Sequence, residues 1–122
     1  MAIKETKAKM GDYRIHTYVG GKGYPILMIH GSGAGASSYG NWHAVMGPLA
    51  KRYQVMAGDL IGFGKSDQKS RMPYFDINLW MREAQFLLDR LSKRGPVGVI
   101  GHSLSGYLAL RLAARNTRID KV

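Results

Sequence analysis

The strongest constraint on this 122-residue chain is a set of short, almost uninterrupted apolar runs, spaced by stretches of helical periodicity. The runs are YPILMIH at 24–30, YQVMAG at 53–58 and VGVIG at 97–101. A strand that is apolar on both faces must be covered on both faces. In alternation with helices, that implies an α/β fold with a mostly parallel sheet and flanking helices. Ahead of these runs, YRIHTYV at 13–19 alternates apolar and polar residues as a half-buried strand does, and Gly20, Gly21 and Gly23 supply a turn. Helices are expected near 41–51, over 77–93 and over 104–115. Asp76 reads as the N-cap of the second, along which Trp80, Ala84, Leu87, Leu88 and Leu91 recur at helical spacing until Gly95 and Pro96 stop it. In the third, Leu104, Leu108 and Leu112 share one face. The last residues, IDKV, read as the opening of a further strand. The expectation is therefore residues 1–122 as the N-terminal part of a single domain, with the sheet incomplete.

Composition narrows the class. Hydrophobic content of 45% and charged content of 21% exclude a disordered chain. The absence of cysteine removes disulfide frameworks and thiolate metal sites, and it fits a reducing cytoplasm. The opening MAIKETKAKM has no apolar core behind its charges, and no stretch approaches the ~20 apolar residues of a membrane span. A soluble, cytoplasmic protein with no membrane partner is expected. The formal charge of +10 invites a nucleic-acid reading, but the basic residues are scattered and not interleaved with aromatics. They read as a solvated surface, and no nucleic-acid partner is expected.

Three glycine-rich loops carry the chemistry. GSGAGA at 31–36 follows a strand and matches the dinucleotide pattern, yet the next strand-end acid, Asp59, lies 28 positions after Gly31. The ribose contact needs about 20. GKS at 64–66 imitates a phosphate loop, but the glycine required five positions earlier is Asp59. Neither a nucleotide cofactor nor a metal is expected. GHSLSG at 101–106 lies between a strand and a helix, the setting of a nucleophile elbow. There the serine sits on a strained turn, and the residues two before and two after it nearly touch. Gly101 and Ser105 are both small enough. The helix behind Ser103 presents its positive end and the Leu104 amide to a developing oxyanion. Gly106 is expected to let that helix pack closely on the neighbouring strands. The plainer alternative is a strand–turn–helix junction with a capping serine.

Taken together, the loops resemble those of α/β-hydrolases: HGSG at 30–33 is similar to their oxyanion loop, DLIGFGKS at 59–66 to their DxxGxGxS loop, and GHSLS at 101–105 to their elbow. Within the family, HGSGAGASSYGNW at 30–42 most resembles the meta-cleavage product hydrolases, which break carbon–carbon bonds in vinylogous 1,5-diketones. Ala34 stands where that pattern has proline, and His102 where its elbow often has asparagine.

The resemblance implies Ser103 as nucleophile, or as the group assisting tautomerisation of a diketone. It implies an oxyanion hole from the amides of Ser32 and Leu104, and a substrate cleft bordered by Gly31, Gly33, Asn41 and His102. Asn41 would bond the polar end of a small-molecule substrate. His30 would anchor the oxyanion loop, and Asp59 the loop that follows it. His102, next to Ser103 on an extended segment, is expected to turn its side chain to the other face. In this fold the triad acid and histidine follow the serine, and after Ser103 the chain has Asp120 and no histidine. The leading expectation is thus a serine hydrolase of carbon–carbon or ester bonds in small hydrophobic substrates, inactive as this chain alone. A second copy or a complementing C-terminal segment would then be its protein partner. The alternatives are a non-catalytic hydrolase-like binding module and an anion-binding basic domain.

Overall fold

The structure is a computed structural model, and it describes residues 3–122. Met1 and Ala2, part of the opening segment read above, lie outside the described residues. Among the described residues nine elements follow in order: β1 (Lys4–Met10), β2 (Tyr13–Gly20), β3 (Pro25–Ile29), α1 (Ser38–Ala50), β4 (Gln54–Gly58), α2 (Ile77–Leu91), β5 (Val97–Gly101), α3 (Ser105–Arg115) and β6 (Ile119–Lys121). They form one six-stranded sheet of order β1-β2-β4-β3-β5-β6. β2 is antiparallel to both β1 and β4, while β4, β3, β5 and β6 run parallel. The mostly parallel α/β architecture is as expected, and the IDKV segment does pair, as a short strand beside β5.

β1 has no counterpart in the sequence reading. Its residues, KETKAKM, bury only Ala8, so no apolar alternation marks it. Its partner β2 supplies the backbone pairing from Lys4↔Val19 to Met10↔Tyr13, and an edge strand bearing lysines discourages further strand addition.

The core lies on both faces of the sheet. On one side α2 and α3 pack Trp80, Ala84, Leu87, Leu88, Leu91, Leu108 and Leu112 against Leu27, Val97 and Val99. On the other, Met46 and Ala50 of α1 meet Tyr18, Met28, Val55 and Ala57. Asp76 caps α2 as predicted, its carboxylate accepting the Leu79 N–H at 3.0 Å. Ile100, Tyr107 and Leu110 remain exposed on β5 and α3. Among the described residues no helix is long and apolar enough to cross a membrane.

α1 begins at Ser38, three residues before the expected start. Gly40 gives it poor local propensity, and its first turn is held from elsewhere. Ser37 accepts the Gly40 N–H at 2.9 Å, and the Asp59 carboxylate accepts the Ser38 N–H at 2.8 Å. The end of α1 that a dinucleotide pyrophosphate would need is therefore occupied by the protein's own oxygens.

Candidate active site

The elbow has the predicted geometry. Ser103 adopts φ of +58° and is the one non-glycine residue with positive φ among those described. Such backbone costs about 1–2 kcal/mol and persists only where the surroundings enforce it. Here the enforcement comes from two directions. A Cβ at Gly101 would collide with the Ser105 carbonyl, so the strand and the helix meet as closely as expected. The turn is also stitched to the end of β3 and the residue after it: the His102 N–H donates to Ile29 O at 3.0 Å, and the fully buried Ser105 hydroxyl donates to His30 O at 2.6 Å. Sequence reasoning valued Ser105 only for its size and missed this bond, because its acceptor lies 75 positions away. Gly106 corrects the expectation made for it: a Cβ there would meet nothing closer than Gly101 O at 3.9 Å, so close packing does not require this glycine.

Ser103 faces a groove of about 380 Å³ lined by Gly31 through Ser37, Gly40, Asn41, His102 and Ser103. The elbow and the HGSG loop, separated by some 70 residues of chain, thus form two walls of one cleft. His102 lines this same groove, its ring lying where a Gly31 Cβ would come within 2.8 Å of Nδ1. The expectation that it turns to the other face is corrected: positive φ at Ser103 breaks the alternation an extended segment would have kept. A larger cavity, about 520 Å³, lies beyond Ser37 among Tyr18, Ser38, Tyr39, His43, Met46 and Lys65. It excludes Ser103, so the strained serine, not cavity size, locates the site.

His30 holds the HGSG loop. It is fully buried; its Nδ1 lies 2.6 Å from Gly31 O, and its Nε2 lies 2.9 Å from the Leu60 N. A carbonyl can only accept and an amide can only donate, so the proton must sit on Nδ1. Burial lowers the His30 pKa and keeps the ring neutral, outweighing the opposing influences of the Gly31 bond and the Asp59 charge. The consequence reaches the next amide. In a trans peptide C=O and N–H point in opposite directions, so fixing Gly31 O against His30 turns the Ser32 N–H away from that ring. Gly31 is held from its other side by Asn41, whose Oδ1 accepts the Gly31 N–H at 2.8 Å. That bond uses the oxygen of Asn41, so its Nδ2 donors are what it has left for a ligand.

Asp59 is a structural hub. Beyond Ser38, its carboxylate accepts the Lys65 N–H at 3.0 Å, and its carbonyl accepts the Ser66 hydroxyl at 2.6 Å. Gly64, at φ +53°, packs so closely on this carboxylate that any Cβ would overlap it. Of the remaining histidines, Nε2 of His16 is bonded to Glu5 and Nδ1 of His43 to Tyr39 O. One buried group escaped the sequence reading altogether: Glu83, fully buried on α2. Its signal was available, since helical spacing places position 83 on the face of Trp80 and Leu87.

Known proteins share both sequence and fold with this chain. Residues 24–122 match the family described as alpha/beta hydrolase fold. The 2-hydroxymuconate semialdehyde hydrolase of Pseudomonas sp. (strain CF600) is 38% identical over 103 residues, which are 84% of this chain and 36% of that protein. The soluble epoxide hydrolase of Corynebacterium sp. (strain C12) is 33% identical over 114 residues, 93% of this chain and 38% of that one. Among solved structures, a serine hydrolase involved in carbazole degradation superposes with a TM-score of 0.83 at 31% identity, covering 96% of this chain and 45% of its own. The chain thus spans less than half the length of these relatives. A match running over residues 24–122, carried alike by sequence and by fold, makes this chain a member of the alpha/beta hydrolase fold family.

Proposed function

We propose that Ser103 is the nucleophile of a hydrolase that cleaves carbon–carbon or ester bonds in small hydrophobic substrates. The observation that carries this is the strained serine at φ +58° facing the same groove as the HGSG loop. Attack of Ser103 Oγ on a substrate carbonyl places negative charge on the carbonyl oxygen. The Ser32 and Leu104 amides are the donors for that charge; among the described residues neither has a protein acceptor. Asn41 offers Nδ2 to the polar end of the substrate, and Gly31, Gly33 and His102 border it. The 2-hydroxymuconate semialdehyde hydrolase among the relatives favours a carbon–carbon substrate of the vinylogous diketone kind; the epoxide hydrolase marks how far chemistry varies on this fold.

A serine hydroxyl needs a base. The rings of His16, His30 and His43 already have partners, which leaves His102 in the groove. In this fold the triad acid and histidine follow the serine, and the chain covers 36% and 38% of the two curated relatives' lengths, so we propose that both lie on a segment following Ser103 in a longer protein rather than that His102 is the base. The chain alone should hydrolyse p-nitrophenyl esters orders of magnitude more slowly than the completed protein, because catalysis without the base retains only on the order of 10³–10⁴ over water. Supplying a C-terminal segment with those two groups should restore turnover that Ser103→Ala abolishes. Turnover that survives Ser103→Ala refutes the nucleophile. Turnover by the chain alone, lost in both Ser103→Ala and His102→Ala, would make His102 the base. Binding without turnover in the completed protein would leave the non-catalytic module.

A further inference from the structure

Glu83 occupies a position where α2 otherwise buries apolar side chains, and a carboxyl there loses its hydration. Its Oε1 accepts the Ile61 N–H at 2.7 Å. Trp80, one turn earlier on the same helix face, donates Nε1–H to Ile61 O at 2.9 Å. Both polar backbone groups of Ile61 are thus gripped by α2. The residue before it, Leu60, donates its N–H to His30 Nε2, and this bond places the His30 proton on Nδ1, against Gly31 O. Phe63 closes the assembly, packing edge-on to His30 at 5.4 Å and against Trp80 at 5.7 Å. The Gly31–Ser32 peptide is therefore oriented by a histidine whose tautomer is set by a loop that α2 clamps.

We propose that Glu83 is a positioning residue for the oxyanion loop, acting through Ile61, Leu60 and His30 on the direction of the Ser32 N–H. This rests on the reading of Ser32 as an oxyanion donor. If the Ile61 clamp is lost, Leu60 no longer has to face Nε2. The ring can then carry its proton there instead, presenting a bare Nδ1 lone pair to Gly31 O. Two acceptors facing each other repel, and the Gly31–Ser32 peptide turns. A glutamine at position 83 keeps the accepting oxygen; a methionine keeps the size and removes it.

The test is ¹⁵N NMR of the His30 ring, with amide hydrogen exchange, on the whole chain. In the parent and in Glu83→Gln, His30 should show a single neutral tautomer protonated at Nδ1. In Glu83→Met, the Leu60 and Ile61 amides should exchange about tenfold faster relative to Leu27 and Met28 of β3, the size of effect that losing one buried acceptor allows. The His30 ring should then sample both tautomers, and the Ser32 amide resonance should move. Trp80→Phe, which removes the Nε1 donor together with part of the buried ring, should shift the same resonances. A purely structural role would speed β3 and loop amides by one common factor. That result, or an unchanged His30 tautomer in Glu83→Met, overturns the proposal. Should Glu83→Met fail to fold, Glu83→Leu takes its place, read by the same two outcomes. None of these readouts needs turnover, so failure of the Ser103 ester test would remove the oxyanion reading and leave the Glu83 result standing on its own.

Discussion

Gly101 and Gly106 flank the elbow, and the structure gives the same substitution opposite signs at the two positions. A Cβ at Gly101 would overlap the Ser105 carbonyl and come within 2.8 Å of the Gly106 nitrogen. These are backbone atoms at the start of α3, so no side chain can swing aside and the elbow itself must open. A Cβ at Gly106 would meet only Gly101 O, at 3.9 Å, an ordinary contact. Overpacking of the first kind costs about 3 kcal/mol. Replacing a helical glycine by alanine stabilises by about 0.5–1 kcal/mol. In a domain of this size ~1 kcal/mol moves the melting temperature by about 4 °C, so Gly101→Ala should melt roughly 12 °C below the parent. Gly106→Ala should melt about 2–4 °C above it. Thermal melts by circular dichroism, run in parallel, decide the matter. A Gly101→Ala variant melting within about 2 °C of the parent would show that the elbow is not closed as tightly as described. A drop of equal size in Gly106→Ala would show that α3 packs against the sheet more tightly than the contacts indicate.

Ser103→Gly should raise stability by about 1 kcal/mol, since glycine adopts φ of +58° without penalty; an unchanged or lower denaturant midpoint would count against strain at the elbow. Ser105→Ala leaves the buried His30 carbonyl without its donor and should cost about 1–3 kcal/mol in the same urea titration. Burial raises the Glu83 pKa well above its ordinary value. The folded state therefore holds that proton more tightly than the unfolded chain does. The associated stability is fully present below the unfolded pKa, near 4.5, and is lost as pH climbs toward the raised folded value. The stability advantage of Glu83→Gln over the parent should accordingly grow from acid toward neutral pH, and a difference independent of pH would refute a raised Glu83 pKa.

Much of this protein was legible in the chain because the relevant physics is local. Short apolar runs separated by helical periodicity are enough to specify a mostly parallel sheet, and Asp76 caps α2 from three residues away. The elbow is local too: small residues around a serine at a strand–helix junction already imply the left-handed backbone found at Ser103. What the chain could not show depends on partners far apart in sequence. β1 is a strand only because β2 offers it a backbone to pair with, and α1 starts at Ser38 because Asp59 accepts that amide. The Ser105 hydroxyl found His30 O, and Glu83 found the Ile61 amide, only once β3, β4, β5 and α2 had been brought together by the sheet. His102 shares a groove with Ser103 because one positive φ undoes the alternation of an extended segment, a three-dimensional consequence that counting residues by twos does not reveal. Periodicity and capping act over three or four residues and can be read along the chain. Hydrogen bonds between distant segments exist only after the hydrophobic core has assembled them, and they set the direction of the amides around Ser103.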